Sequence, residues 1–138
     1  MGSNEATAKI LVIDDDQMLI TMTRYVLEEA GYKVITSSTA SCSNLIVEGQ
    51  PDLILLDVKL RGLQGDEAGK VLSEVEEVSR NSIIVFHSNL DEDTLRRMVR
   101  ESGVDGYIRK THDPDILKKK VAHWVGVARN RGRSPVDN

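Results

Sequence analysis

The chain has 138 residues, is 40% hydrophobic and 29% charged, and carries a formal net charge of −4 and a single cysteine. That is room for one domain with a real core, in a globular balance rather than a disordered or membrane one. The negative charge argues against nucleic-acid binding, the lone Cys42 excludes an intrachain disulfide, and no apolar run nears the roughly 18–20 residues that span a bilayer.

Residues 1–7 have neither the basic start nor the apolar run of a secretion signal and read as a disordered segment, which makes the cytoplasm the expected compartment. From there, short apolar runs alternate with segments of helical periodicity, the pattern of βα units around a parallel sheet. Strands are expected at 9–13, 32–37, 52–57, 82–87 and 106–109. Ile10-Leu11-Val12-Ile13 and Leu53-Ile54-Leu55-Leu56 are apolar without alternation, as strands covered on both faces are. A first helix starts after Asp16, a suitable N-cap, and stops at Gly31, with Leu19, Met22, Val26 and Ala30 expected on its inner face. A short helix over 40–48 ends at Gly49, before Pro51. A third, over 66–78, offers Ala68, Leu72 and Val75 to the core. The fourth, over 91–102, offers Leu95, Met98 and Val99 and turns Arg96, Arg97 and Arg100 outward.

The fifth helix has a clear start, with Asp113 as N-cap and Pro114 in the first helical position, and an inner face of Leu117, Val121, Trp124 and Ala128. Residues 129–138 are basic and poor in apolar side chains, and read as a disordered tail or linker stub. The expectation is one α/β domain over 8–128, a single (βα)5 unit with a doubly wound parallel sheet of five strands.

Chemistry gathers at the strand ends. Strand one runs into Asp14, Asp15 and Asp16, strand three into Asp57, strand four into His87, Ser88 and Asn89, and strand five into Lys110. The carboxyl edge of an open α/β sheet is where such folds place their sites. Three carboxylates that close repel one another and call for a cation, and Mg²⁺ suits a few carboxylates plus waters. Lys110 can neutralise an arriving anion, Ser88 supplies a hydroxyl for a phosphoryl oxygen, and Asp57 can act as nucleophile toward phosphorus. Asp16 reads as a cap rather than a ligand, His87 as a satisfied core histidine, and His112 and His123 as surface residues.

Asp14-Asp15, Asp57, Ser88 and Lys110, in this order and each at a strand end, resemble the receiver domain of two-component response regulators over about residues 8–128. The spacing from Asp57 through Leu60 to Gly65 and the positions of Gly103, Gly106 and Tyr107 fit as well. The resemblance implies a flavodoxin-like, chemotaxis-regulator-like fold with strand order 2-1-3-4-5. It implies that Asp57 takes a phosphoryl group from a histidine kinase or phosphotransfer protein, and that this signalling domain catalyses its own phosphorylation and dephosphorylation. Asp15, Asp57 and the backbone carbonyl of Lys59 would hold Mg²⁺, with Asp14 acting largely through water. Lys110 would pair with the carboxylate and then with the phosphoryl group. Ser88 and Tyr107 would switch the face made by the fourth helix, the fifth strand and the fifth helix for a downstream protein, in a monomer or weak dimer with no membrane or nucleic-acid contact of its own.

Three residues depart from the family pattern. Thr111 stands where a proline after a cis bond is usual, so a trans Lys110–Thr111 bond or a rebuilt loop is expected. Arg61 replaces a common proline in the loop after Asp57. Asn89 replaces a small residue, and together with Lys59 it is expected to set the phosphoryl lifetime. The alternative function is a pseudo-receiver, the fold kept as a constitutive protein-interaction scaffold. An aspartyl-phosphate phosphatase is weaker still, because Lys59 stands where such enzymes carry a second aspartate.

Overall fold

A computed structural model describes residues 7–38, 43–58 and 82–132. Five parallel strands, β1 (Lys9–Ile13), β2 (Lys33–Ser37), β3 (Leu53–Leu56), β4 (Ile83–Ser88) and β5 (Gly106–Arg109), form one sheet in the order β2-β1-β3-β4-β5. The described helices are α1 (Gln17–Glu29), α2 (Ser43–Gly49), α3 (Glu92–Ser102) and α4 (Pro114–Gly132). The expected order 2-1-3-4-5 and the α/β class are what is observed. The helix expected over 66–78 lies outside the described residues, as do Cys42, Lys59, Arg61 and Gly65.

The unbroken apolar runs make the central strands dry on both faces. Ile10, Val12, Leu53, Leu55, Ile83, Val85 and Ile108 pack with Leu27 of α1 and with Leu117, Val121 and Val125 of α4. On the opposite face Leu11, Ile13, Ile54, Leu56, Ile84 and Phe86 pack with Ile46 of α2 and Leu95 of α3. Each such side chain contributes roughly 1.5–3 kcal/mol by leaving water. The two clusters make the sheet doubly wound, and the carboxyl ends of β1, β3, β4 and β5 emerge along one edge.

Caps set the helix limits as the sequence suggests. The Asp16 carboxylate accepts hydrogen bonds from the Met18 and Leu19 N–H groups, and Asp113 does the same for Asp115 and Ile116. Gly31 follows the first helix at φ 101°, a left-handed conformation that costs glycine little.

The faces differ in detail from expectation. In α1 the buried stripe is Ile20, Thr23 and Leu27, one position round from the expected face: Leu19 and Val26 are half-buried, Met22 is half-exposed, and Ala30 lies past the helix end. Thr23 fills a core position that an apolar pattern cannot flag. In α4 Val125, not Trp124, joins Leu117, Val121 and Ala128 in the core. Trp124 lies half-buried on the backbone of Gly106, where any Cβ would collide with its ring, and meets His123 edge-on with centroids 5.1 Å apart. The helix also runs to Gly132, past the expected boundary at 128, and is tied there by an Arg131–Asp105 ion pair of 2.7 Å.

Candidate functional site

Strand alternation brings the site together. Ile10 and Val12, Leu53 and Leu55, and Ile83 and Val85 share the face covered by α1 and α4. One more step of two reaches Asp14, Asp57 and His87. Register pairs Ile13 with Leu56 and Leu56 with Phe86, so the next rung sets these three residues side by side across β1, β3 and β4. The ladder continues there: Asp57 N–H donates to the Ile13 carbonyl at 3.0 Å, and Lys110 N–H to the Ser88 carbonyl at 2.8 Å.

Asp14 and Asp57 are buried, at 1% and 4% exposure. The Lys110 ammonium reaches in from the end of β5, 2.9 Å from Asp14 Oδ2 and 3.6 Å from Asp57 Oδ1. The Asp14 contact is ionic rather than a well-aligned hydrogen bond, so Oδ2 stays without a hydrogen-bond donor among the described residues. Its other oxygen, Oδ1, accepts the Asp16 N–H at 2.9 Å, which holds the start of the loop to α1. Oxygens of Asp14, Asp15 and Asp57 lie within 4.8 Å of one another. Three clustered carboxylates, two of them buried, are a hard donor set of the kind Mg²⁺ takes. Asp16 acts as the helix cap, as expected.

Ser88 is fully buried at the end of β4, and its Oγ accepts the Leu90 N–H at 3.1 Å, bracing the loop into α3. Tyr107 is half-buried against the cluster that contains Leu95, Met98 and Val99. Asn89 is exposed and, with Asp16, Lys110, Thr111, Met18 and Met22, lines a groove of about 230 Å³. The Lys110–Thr111 bond is trans, and Thr111 Oγ1 accepts the Asp113 N–H at 3.1 Å.

His87 departs from its reading as a satisfied core histidine. It is 2% exposed, but Nδ1 has no hydrogen-bond partner among the described residues. Burial first, and the Lys110 charge second, pull its imidazole down from 6.5 to about 4, against a smaller opposing pull from Asp14. The ring is therefore neutral at pH 7. The signal for its place was in the sequence: it stands two residues after Val85 in a strand of period two.

No described helix is long and apolar enough to cross a membrane. The chain is 33% identical over 118 residues to the CAI-1 autoinducer sensor kinase/phosphatase CqsS of Vibrio cholerae, covering 85% of this chain and 17% of that protein. It is 31% identical over 126 residues to the polar-differentiation response regulator DivK of Brucella ovis, covering 88% of this chain and 99% of the relative. It spans 46% and 52% of the length of two transcriptional regulators that it also matches. Its fold is similar to that of a CheY-like response regulator receiver domain protein from Methanospirillum hungatei, with a TM-score of 0.75 at 22% identity over 91% of this chain and 99% of the other. With residues 10–122 matching the model of the response regulator receiver domain, the chain belongs to that family.

Proposed function

We propose that this receiver domain is a Mg²⁺-dependent phosphoacceptor in a two-component phosphorelay, with Asp57 taking the phosphoryl group of a phosphohistidine on a histidine kinase or phosphotransfer protein. The observation that carries the reading is the Lys110 ammonium held between the buried Asp14 and Asp57 carboxylates at the carboxyl edge of the sheet. A solvated lysine and two capping aspartates do not account for charges kept at 1% and 4% exposure.

In the reaction an Asp57 oxygen attacks phosphorus, the phosphorus–nitrogen bond to the donor imidazole breaks, and the imidazole leaves with the electron pair and takes up a proton. Asp57 becomes an acyl phosphate. Asp15 and Asp57, with Asp14 through water and the Lys59 carbonyl, would hold Mg²⁺, which when bound supplies positive charge to the phosphoryl oxygens. Lys110, already beside Asp57 Oδ1, neutralises the same charge from the other side. Ser88 Oγ would exchange the Leu90 N–H for a phosphoryl oxygen, releasing the loop before α3. Tyr107 then turns inward and alters the α3-β5-α4 face for a downstream protein, a shift between two arrangements favoured by contacts with phosphate. Asn89, in the groove beside Lys110, and Lys59 set how long the acyl phosphate lasts before water removes it. The domain catalyses its own phosphorylation and dephosphorylation, and works in the cytoplasm as a monomer or weak dimer.

Incubation with Mg²⁺ and acetyl phosphate, followed by peptide mass spectrometry, tests this: the phosphoryl group is expected on Asp57. Beryllofluoride should shift the amide resonances of Ser88 to Leu90 and of Tyr107. No modification and no shift would overturn the reading and leave a constitutive interaction scaffold.

A further inference from the structure

Among the described residues, His87 is the buried titratable group on the site's rung for which the phosphoryl chemistry above has no use. Continuing the strand register sets it beside Asp57 on β3 and two residues short of the Lys110 position on β5, since His87 pairs with Ile108. It shares a face with Asp14, Asp57 and Lys110, beneath α1 and α4. Its Nδ1 is enclosed and has no hydrogen-bond partner among the described residues, and neither has Asp14 Oδ2, which meets the ammonium only as an ion pair. Buried polar atoms are seldom left unpaired, and each one in a folded protein calls for a reason. Here Asp14 Oδ2 meets the Lys110 ammonium, and His87, on the same rung, feels the charge of that ammonium.

A lysine ammonium carries three hydrogen-bond donors. In this structure Lys110 spends its charge on two carboxylates at unequal distances, 2.9 and 3.6 Å. Once a phosphoryl group sits on Asp57, that carboxyl becomes a neutral ester-like carbonyl and the negative charge moves outward onto the phosphoryl oxygens. The ammonium has to follow while its inner N–H groups stay satisfied. A further carboxylate would hold it back, and an aliphatic side chain would leave a buried donor unmet. A neutral imidazole offers one lone pair without a competing charge.

We propose that His87 is a positioning residue for phosphoryl transfer to Asp57, its Nδ1 lone pair accepting a hydrogen bond from Lys110 when the ammonium turns toward the phosphoryl group. This rests on the phosphoacceptor reading. It requires the Nε2–H tautomer, and it explains why a ring nitrogen is kept where Val85 and Ile83 before it are aliphatic. The Nδ1 that no described residue meets is then the acceptor used in the phosphorylated state.

Three measurements on the whole chain test it. Phosphorylation by acetyl phosphate at saturating Mg²⁺ should be about tenfold slower in His87→Leu, the worth of one hydrogen bond to a charged group. The half-saturating concentrations of acetyl phosphate and Mg²⁺ should stay near wild type, since neither is bound by the ring. His87→Gln, which keeps an acceptor, should recover most of the rate. In ¹⁵N-labelled wild-type protein, the His87 Nδ1 resonance should lie in the range of an unbonded acceptor and move upfield on adding beryllofluoride. An unchanged rate in His87→Leu, a His87→Gln as slow as His87→Leu, or a ring resonance unmoved by beryllofluoride would overturn the inference. The ring resonance decides alone if His87→Leu fails to fold. A wild-type protein that takes no phosphoryl group overturns the phosphoacceptor reading as well, whereas a normal wild type beside an indifferent His87→Leu removes only the role of His87.

Discussion

The two edges of the sheet use the same residue type for opposite ends. At the amino edge, Asp52 Oδ2 accepts the Lys9 N–H and Asp105 Oδ2 the Ile84 N–H, both at 2.9 Å, while Ser82 Oγ donates to the Pro51 carbonyl at 2.6 Å. These acids finish the ladder: each gives a partner to a backbone group that the sheet would leave bare, and each stays partly open to water. At the carboxyl edge, Asp14 and Asp57 are buried against one another's charge with one ammonium between them, and two polar atoms close by have no hydrogen-bond partner among the described residues. One edge resolves its polar groups and the other holds them in reserve. Such a reserve costs stability, and proteins keep it where chemistry is done.

Substitutions at each edge should therefore have different consequences. The largest effect belongs to Asp57→Asn, which should abolish phosphoryl uptake in the mass-spectrometric assay while leaving the circular dichroism of the folded chain intact. Next is Lys110→Met. It strands two buried carboxylates, so urea titration should show a loss of about 3–5 kcal/mol, part of which added Mg²⁺ restores; a loss that Mg²⁺ does not touch would argue against a shared cation site.

His87 gives a smaller effect with a definite sign. Its folded value of about 4 lies below the 6.5 of an exposed histidine, so on acidification the unfolded chain takes up the proton first. The stability that this group contributes is complete above pH 6.5 and is lost as the pH falls toward 4, by roughly 3 kcal/mol in all. His87→Leu should flatten that part of the pH profile of urea unfolding. Smallest is Asp105→Ala at the amino edge, which frees the Ile84 N–H and Arg131. It should cost about 1–2 kcal/mol and leave phosphoryl uptake unchanged. Any change in uptake would mean that the two edges are coupled through the strands.

The sequence exposed the architecture because its signals are local. Dry strands read as continuous apolar runs, and Asp16, Gly31, Asp113 and Pro114 each announce a helix end by their own chemistry. The candidate site was legible for the same reason, since Asp14, Asp57, Ser88 and Lys110 each stand at or just past the end of a strand. What stayed hidden depends on partners far away in the chain. Nothing near Thr23 says that it is buried, and nothing near Met18 or Tyr25 says that they are 74% and 67% exposed, because β2 and α4, which pack against α1, decide which stripe of it turns inward. Trp124 outranks Val125 on hydrophobic size, yet the neighbouring Gly106 leaves it a shelf at the sheet edge rather than a place in the core. Helix α4 outlasts its apolar pattern because Arg131 finds Asp105, a residue 26 positions earlier. The buried place of His87 shows only when it is taken as the next step of two after Val85.

Trp124 has one more consequence. It is the chain's single tryptophan, and it rests on Gly106 one residue before Tyr107, at the far margin of the sheet from β1 and β2. The intrinsic fluorescence of the molecule is therefore a report from the β5 margin, with no indole beside the carboxylates to respond directly to an ion or phosphate. An emission change on adding beryllofluoride would be light from a distance: an event at Asp57 read out at the opposite margin of the sheet from β2.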